Sequence, residues 1–134
     1  METAPAPFAP PRPDLEGLRH STQSAEVVVK ELRDLLGARL VAYIAGVKET
    51  RAVHEWADGA REVGNQDRTR RLRTSLQVAL LLRMRDKPDV VQAWFQGLNP
   101  QLGDRAPARL LREGDIDVAG PEVLAAARSF SAVG

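Results

Sequence analysis

The chain has 134 residues, a formal net charge of +1, 43% hydrophobic but only 4% aromatic side chains, and no cysteine. That length supports one compact domain, or two subdomains sharing a core, and the core must be aliphatic. Without cysteine there are no disulfides, thiolate metal sites or Cys nucleophile; no apolar run approaches membrane-spanning length and no leader pattern opens the chain, so a cytoplasmic setting is expected.

The opening METAPAPFAPPRP holds five prolines in thirteen residues and no periodicity, which predicts an unpacked arm over 1–22. Ser24 suits an N-cap, with Glu26 in the first turn, and Val28, Leu32, Leu35 and Leu36 recur at helical spacing before Gly37. Residues 38–46 predict a short helix with Leu40, Val41 and Ile44 inward. After the link VKE, Thr50 reads as the N-cap of a second short helix over 51–59, with Val53, Trp56 and Ala57 on one face.

Gln66 or Asp67 is expected to start a long helix to about residue 85, apolar nearly all round in its second half and therefore central. Pro88 predicts the first turn of the next helix, with Val90, Val91, Trp94 and Phe95 buried and Gly97 at its end. Pro100, Pro107 and Pro121 repeat that device, with Asn99 and Gly120 as caps before the first and the last. Leu110 and Leu111 anchor the helix at 107–113, while Val123, Leu124, Ala127 and Phe130 stripe the last one. No segment keeps period two long enough for a strand. The expected fold is an all-α helical bundle, with a helix-turn-helix-like part over 23–73 and a second helical part over 74–134.

Charge is unevenly spread. Residues 38–73 hold eight basic and five acidic side chains, whereas 1–37 are net acidic and 74–134 are balanced, so the middle third is the stretch suited to nucleic acid. The helices at 38–46 and 51–59 read equally as a DNA-reading helix-turn-helix or as a two-helix corner of a bundle. Ala42, four residues before Gly46, permits a close crossing, but Val53 and Trp56 sit one residue late for the usual spacing. Lys48, Thr50, Arg51 and His54 are the candidate DNA contacts there, opposed by Glu55 and Asp58. Arg68, Arg70 and Arg71 in the run DRTRRLR read either as phosphate clamps or as a solvated helix face.

His20 and His54 are too isolated to hold a metal, and Asp115 and Asp117 read as turn and capping residues rather than calcium ligands. Trp56 and Trp94 read as core anchors. No nucleophile, base and oxyanion site assemble, so no catalytic residue, cofactor or metal is expected. At the C-terminus, Arg128, Ser129, Phe130 and Ser131 offer an aromatic anchor and a cation suited to another protein's cleft; the alternative is that Phe130 closes the chain's own core.

Two blocks carry a family resemblance. The first is LGARLVAYIAGVKETRAVHEWADG at 36–59. The second is Trp94, Phe95, Asn99, Leu102, Pro107, Leu110 and Leu111 in order, followed by Pro121 and AAARSF. Together they resemble antitoxins of the Xre/MbcA/ParS family over about residues 25–131 of the chain. The resemblance implies a type II antitoxin whose partner is a RES-domain toxin that degrades NAD or transfers ADP-ribose from it. It implies that residues 74–134 are the toxin-binding part, with Arg109 and Arg112 joining Arg128, Ser129, Phe130 and Ser131 in that contact. It also implies a homodimer that binds operator DNA. A stand-alone helix-turn-helix repressor is the alternative. The stretch NPQLGDRAPARLLREG (99–114) then reads as a brace that fixes where the last helix leaves the bundle.

Overall fold

Short caps and glycine turns divide the described chain into seven α-helices. The computed structural model describes residues 23–133, and the Pro-rich arm expected over 1–22 lies outside them. Ser24 Oγ accepts from the Val27 amide at 3.4 Å and opens α1 (Ala25–Leu36), whose Val28, Val29, Leu32 and Leu36 are buried. Gly37, at φ 85°, lets α2 (Ala38–Ala45) start at once in a new direction, a backbone state that other residues reach only with strain. Gly46 closes α2 in the left-handed conformation, with its N–H turned back to Ala42 and Tyr43.

The next helix, α3 (Thr50–Ala57), begins one residue early. Glu49 is the extended capping residue and makes no side-chain cap bond, so Thr50 is the first helical residue rather than the cap. Asn65 caps α4 (Gln66–Arg83) by accepting from the Arg68 amide at 3.0 Å. This helix is the axis of the bundle: Leu72, Leu76, Val78, Ala79, Leu81 and Leu82 are buried, and α1, α2, α5, α6 and α7 all pack on it. Its buried polar side chain, Ser75, donates to the Arg71 carbonyl at 2.7 Å and is thereby satisfied.

In α5 (Pro88–Gln96) the core positions are Val91, Trp94 and Phe95. Val90, expected inside, is 40% exposed, because the helical period that turns 91, 94 and 95 inward turns 90 outward. The brace follows as a 3-10 turn, Pro100–Leu102, capped by Asn99 Oδ1 at 2.9 Å from the Gln101 amide. An isolated bridge between Asn99 and Arg105 clips the loop, and the buried Leu102 joins this turn to the core beside α7.

Pro107 opens α6 (Pro107–Glu113), which buries Pro107, Ala108, Leu110 and Leu111. The last helix, α7 (Ile116–Val133), departs from expectation: it starts five residues before Pro121. Asp115 is the reason. Its Oδ1 accepts from the Asp117 amide at 3.0 Å, and its carbonyl accepts from Val118 and Ala119 at 2.9 and 2.7 Å. Pro121 therefore lies inside the helix, where it has no N–H to give the Asp117 carbonyl. Gly120 beside it lies close to Thr74 of α4, where an added Cβ would sit 3.4 Å from the threonine methyl.

One cluster of buried residues runs from Val28 to Ala127. The 73/74 boundary between the two sequence-defined parts falls inside α4, so both parts share that core. Among the described residues there is no strand, and no helix is long and apolar enough to cross a membrane.

The α6–α7 junction is tight. A Cβ at Gly114 would lie 2.8 Å from the Leu110 carbonyl and 3.0 Å from Ala119 Cβ. Gly114→Ala is expected to cost about 1–3 kcal/mol by overpacking, read as a lower urea midpoint. A midpoint equal to the parent's would mean that the two helices do not meet this closely.

Candidate functional site

The outer face of α2 supports one feature. Leu40, Val41 and Ile44 point into the core, which leaves Arg39 and Tyr43, four residues apart, together on the opposite side. A groove of about 670 Å³ runs from these two residues to the α2–α3 turn and carries Lys48, Thr50 and Arg51 on its wall. A second groove, of about 450 Å³, leads from the same Arg39 and Tyr43 toward α5 and α6, between Gln92, Gln96 and Arg109. Arg39 and Tyr43 line both, and the two adjoining grooves are together called the trough.

The C-terminal half reaches into this trough through Arg112. Its guanidinium stacks 4.6 Å from the Tyr43 ring centroid, and Nη1 donates to the Tyr43 carbonyl at 2.8 Å. Among the described residues, Arg39, Lys48, Arg51, Arg109 and Arg112 thus line the trough against a single acid, Glu49. Arg51 pairs with Glu55 at 3.1 Å and Arg109 with Glu113 at 3.2 Å. Both are exposed i,i+4 pairs, which are weak and screened, so either arginine can exchange its partner at small cost.

The arginine run at the start of α4 faces its neighbours instead. Arg68 lies 5.4 Å over the Trp56 ring and donates to the Ala45 carbonyl at 3.0 Å. Arg70 pairs with Asp117 of α7, and that hydrogen bond and charge raise its pKa above the ordinary arginine value. Arg71, with only 13% of its side chain exposed, pairs with Asp67 at 2.7 Å. It also donates to the carbonyls of Leu111 and Arg112, capping the C-terminal end of α6. These side chains clamp α4 to α2, α6 and α7. His54 lies apart from the trough, its Nδ1 3.2 Å from Arg33 Nη1 of α1.

The end of α7 is a second feature. Phe130 is 41% exposed, and its ring lies tilted at 51° with its centroid 6.3 Å from that of Trp94. Trp94 in turn stands edge-on to the buried Phe95 at 5.4 Å. Arg85 Nη1 donates to the Ser131 carbonyl and fastens the last turn to the end of α4. Arg128 is exposed beside a groove that also holds Arg70 and Asp117, while Ser129 and Ser131 are partly covered.

No protein-family model, curated protein or solved structure matches this chain.

The residues singled out in the sequence therefore separate by location. Lys48, Thr50 and Arg51 come together in the trough, where Arg109 and Arg112 join them, although the resemblance groups those two with the tail. Arg128 to Ser131 end α7. No motif signals Arg39; its i,i+4 relation to Tyr43 on the polar face of α2 is the available cue. Among the described residues no three His, Asp or Glu side chains gather as metal ligands. What the arrangement offers is recognition: a row of guanidinium donors suited to anions, and a half-covered aromatic ledge suited to a protein surface.

Proposed function

We propose that the chain is the antitoxin of a type II toxin–antitoxin pair. It binds a RES-domain toxin, covers that protein's NAD pocket with the end of α7, and as a homodimer represses its own operon through the α2–α3 corner. It performs no catalysis and carries no cofactor. The support is the family resemblance of the two sequence blocks together with one observation: Phe130, an aromatic anchor on the last helix, is left 41% exposed on the Trp94 ledge. Large aromatic side chains of this kind are over-represented among the few residues that carry binding energy at interfaces.

Because Phe130 is so exposed, Phe130→Ala is expected to leave the circular dichroism spectrum and urea midpoint close to the parent's. Affinity for the toxin is expected to fall by about 30-fold or more, the equivalent of about 2 kcal/mol. Removing residues 128–134 is expected to abolish protection against NAD loss. Full protection by either variant would overturn the role given to α7.

The trough favours one other reading, a stand-alone repressor with no toxin partner. That reading predicts operator binding at the same residues and no complex with a RES-domain protein.

A further inference from the structure

We infer that the trough along α2 is the seat of one strand of a DNA duplex, with Arg39, Arg109 and Arg112 as phosphate contacts. The inference rests on the DNA-binding part of the proposed function and changes which residues perform it. Two of the three belong to α6, on the half of the chain that the resemblance assigns to the toxin.

The geometry carries it in three ways. First, the cations are spread over two adjoining grooves: Arg51 lines the one at the start of α3, Arg109 of α6 lines the other, and Arg39 lines both. The eight residues of α2 span about 12 Å at the ordinary helical rise. A strand carries one phosphate per about 3.4 Å of duplex axis, so that length lies beside three or four phosphates.

Second, Thr50 and Arg51 at the start of α3 line the trough, so a strand lying in it brings the adjacent groove of the duplex against that helix. Third, Arg112 is already held in place. Stacking on Tyr43 and a bond to its carbonyl fix the guanidinium, leaving less freedom to lose when a phosphate arrives. The arginines of the α4 run do not line the trough: Arg68 lies over Trp56, Arg70 lines the groove beside α7 and Arg71 caps α6. An acidic peptide would use the same charge, and it is the competing outcome of the test.

The experiment titrates the full chain into a fluorescently labelled duplex of its own promoter, from about 50 to about 200 mM salt, and follows anisotropy. Removing one cation that neutralises a phosphate is expected to flatten the slope of log affinity against log salt by about 0.9. Arg39→Ala and Arg112→Ala are each expected to give about one such step, and Arg109→Ala with Arg112→Ala about two. Arg112→Lys keeps the charge and should retain most of the slope, which separates charge from a fold defect. Lys87→Ala, at the start of α5 and outside the trough, should leave the slope alone.

Duplex binding whose slope is indifferent to Arg39 and Arg112 would overturn this inference while leaving operator binding intact. No duplex binding at about 50 mM salt would overturn both. Single-stranded DNA or a poly-glutamate peptide competing as well as the duplex would overturn the choice of ligand.

Discussion

Replacing Phe95 with alanine is expected to lower the free energy of unfolding by about 3–5 kcal/mol, the largest stability effect foreseen for this chain. Phe95 has no exposed surface, and Trp94 stands edge-on to it. It lies on α5, which contacts α1, α4 and α6 at once, so the space left by the ring is framed by three helices that cannot all close in. Domains of this size are typically stable by about 5–15 kcal/mol in total, so this one change is expected to remove a large share. Urea unfolding followed by circular dichroism measures it, with Phe95→Leu as a milder companion. A loss below about 1 kcal/mol, well under the range for such truncations, would mean that α5 does not share the common core. Phe130 makes the contrast: the same side chain 35 positions later is half exposed, and its removal is expected to cost binding rather than folding.

Arg71→Ala is expected to destabilise the fold by about 1.5–3 kcal/mol, the range for hydrogen bonds to a charged group. The side chain links three partners: Asp67 one turn back, and the Leu111 and Arg112 carbonyls that end α6. Those carbonyls have no later helical N–H to accept from, so their donor leaves with Arg71. The same substitution separates two roles for the DRTRRLR run. A phosphate-contacting Arg71 would change the salt slope of DNA binding and leave the urea midpoint in place. A clamping Arg71 does the reverse, and that is the expected result. A changed slope with an unchanged midpoint would return Arg71 to the DNA-binding set.

Local signals account for most of the helix map. Ser24, Gly37, Gly46, Pro88 and Pro107 mark helix ends by mechanisms that act within a few residues, and the structure uses all five in that way. The start of α7 is hidden because two local rules compete there. Pro121 suits a first turn, but Asp115 caps five residues sooner, and packing of Gly120 on Thr74 holds the proline inside the helix. Within the brace, Asn99 and Pro107 are readable as caps, whereas the burial of Leu102 beside α7 depends on the assembled bundle.

The candidate site is less legible, and for a physical reason. Lys48, Thr50 and Arg51 are neighbours along the chain, so their grouping is visible in the sequence. Arg112 meets Tyr43 across 69 residues, a pairing set by how α6 crosses α2. An arginine that clamps another helix and an arginine that waits for phosphate look alike until the neighbouring carbonyls and acids are placed. That is why the sequence leaves Arg68, Arg70 and Arg71 open between phosphate clamps and a solvated helix face, while the structure adds an intramolecular partner for each.

Whether this protein silences a toxin by covering its NAD pocket is decided most directly in living cells. Where the adjacent reading frame encodes a RES-domain protein, that protein is expressed alone and then together with this chain, and cellular NAD is measured over time. Rapid NAD loss is expected in the first case. Full preservation is expected in the second, together with a complex of the two proteins that survives purification. NAD falling equally fast in both, or no RES-domain neighbour to express, would refute the antitoxin assignment.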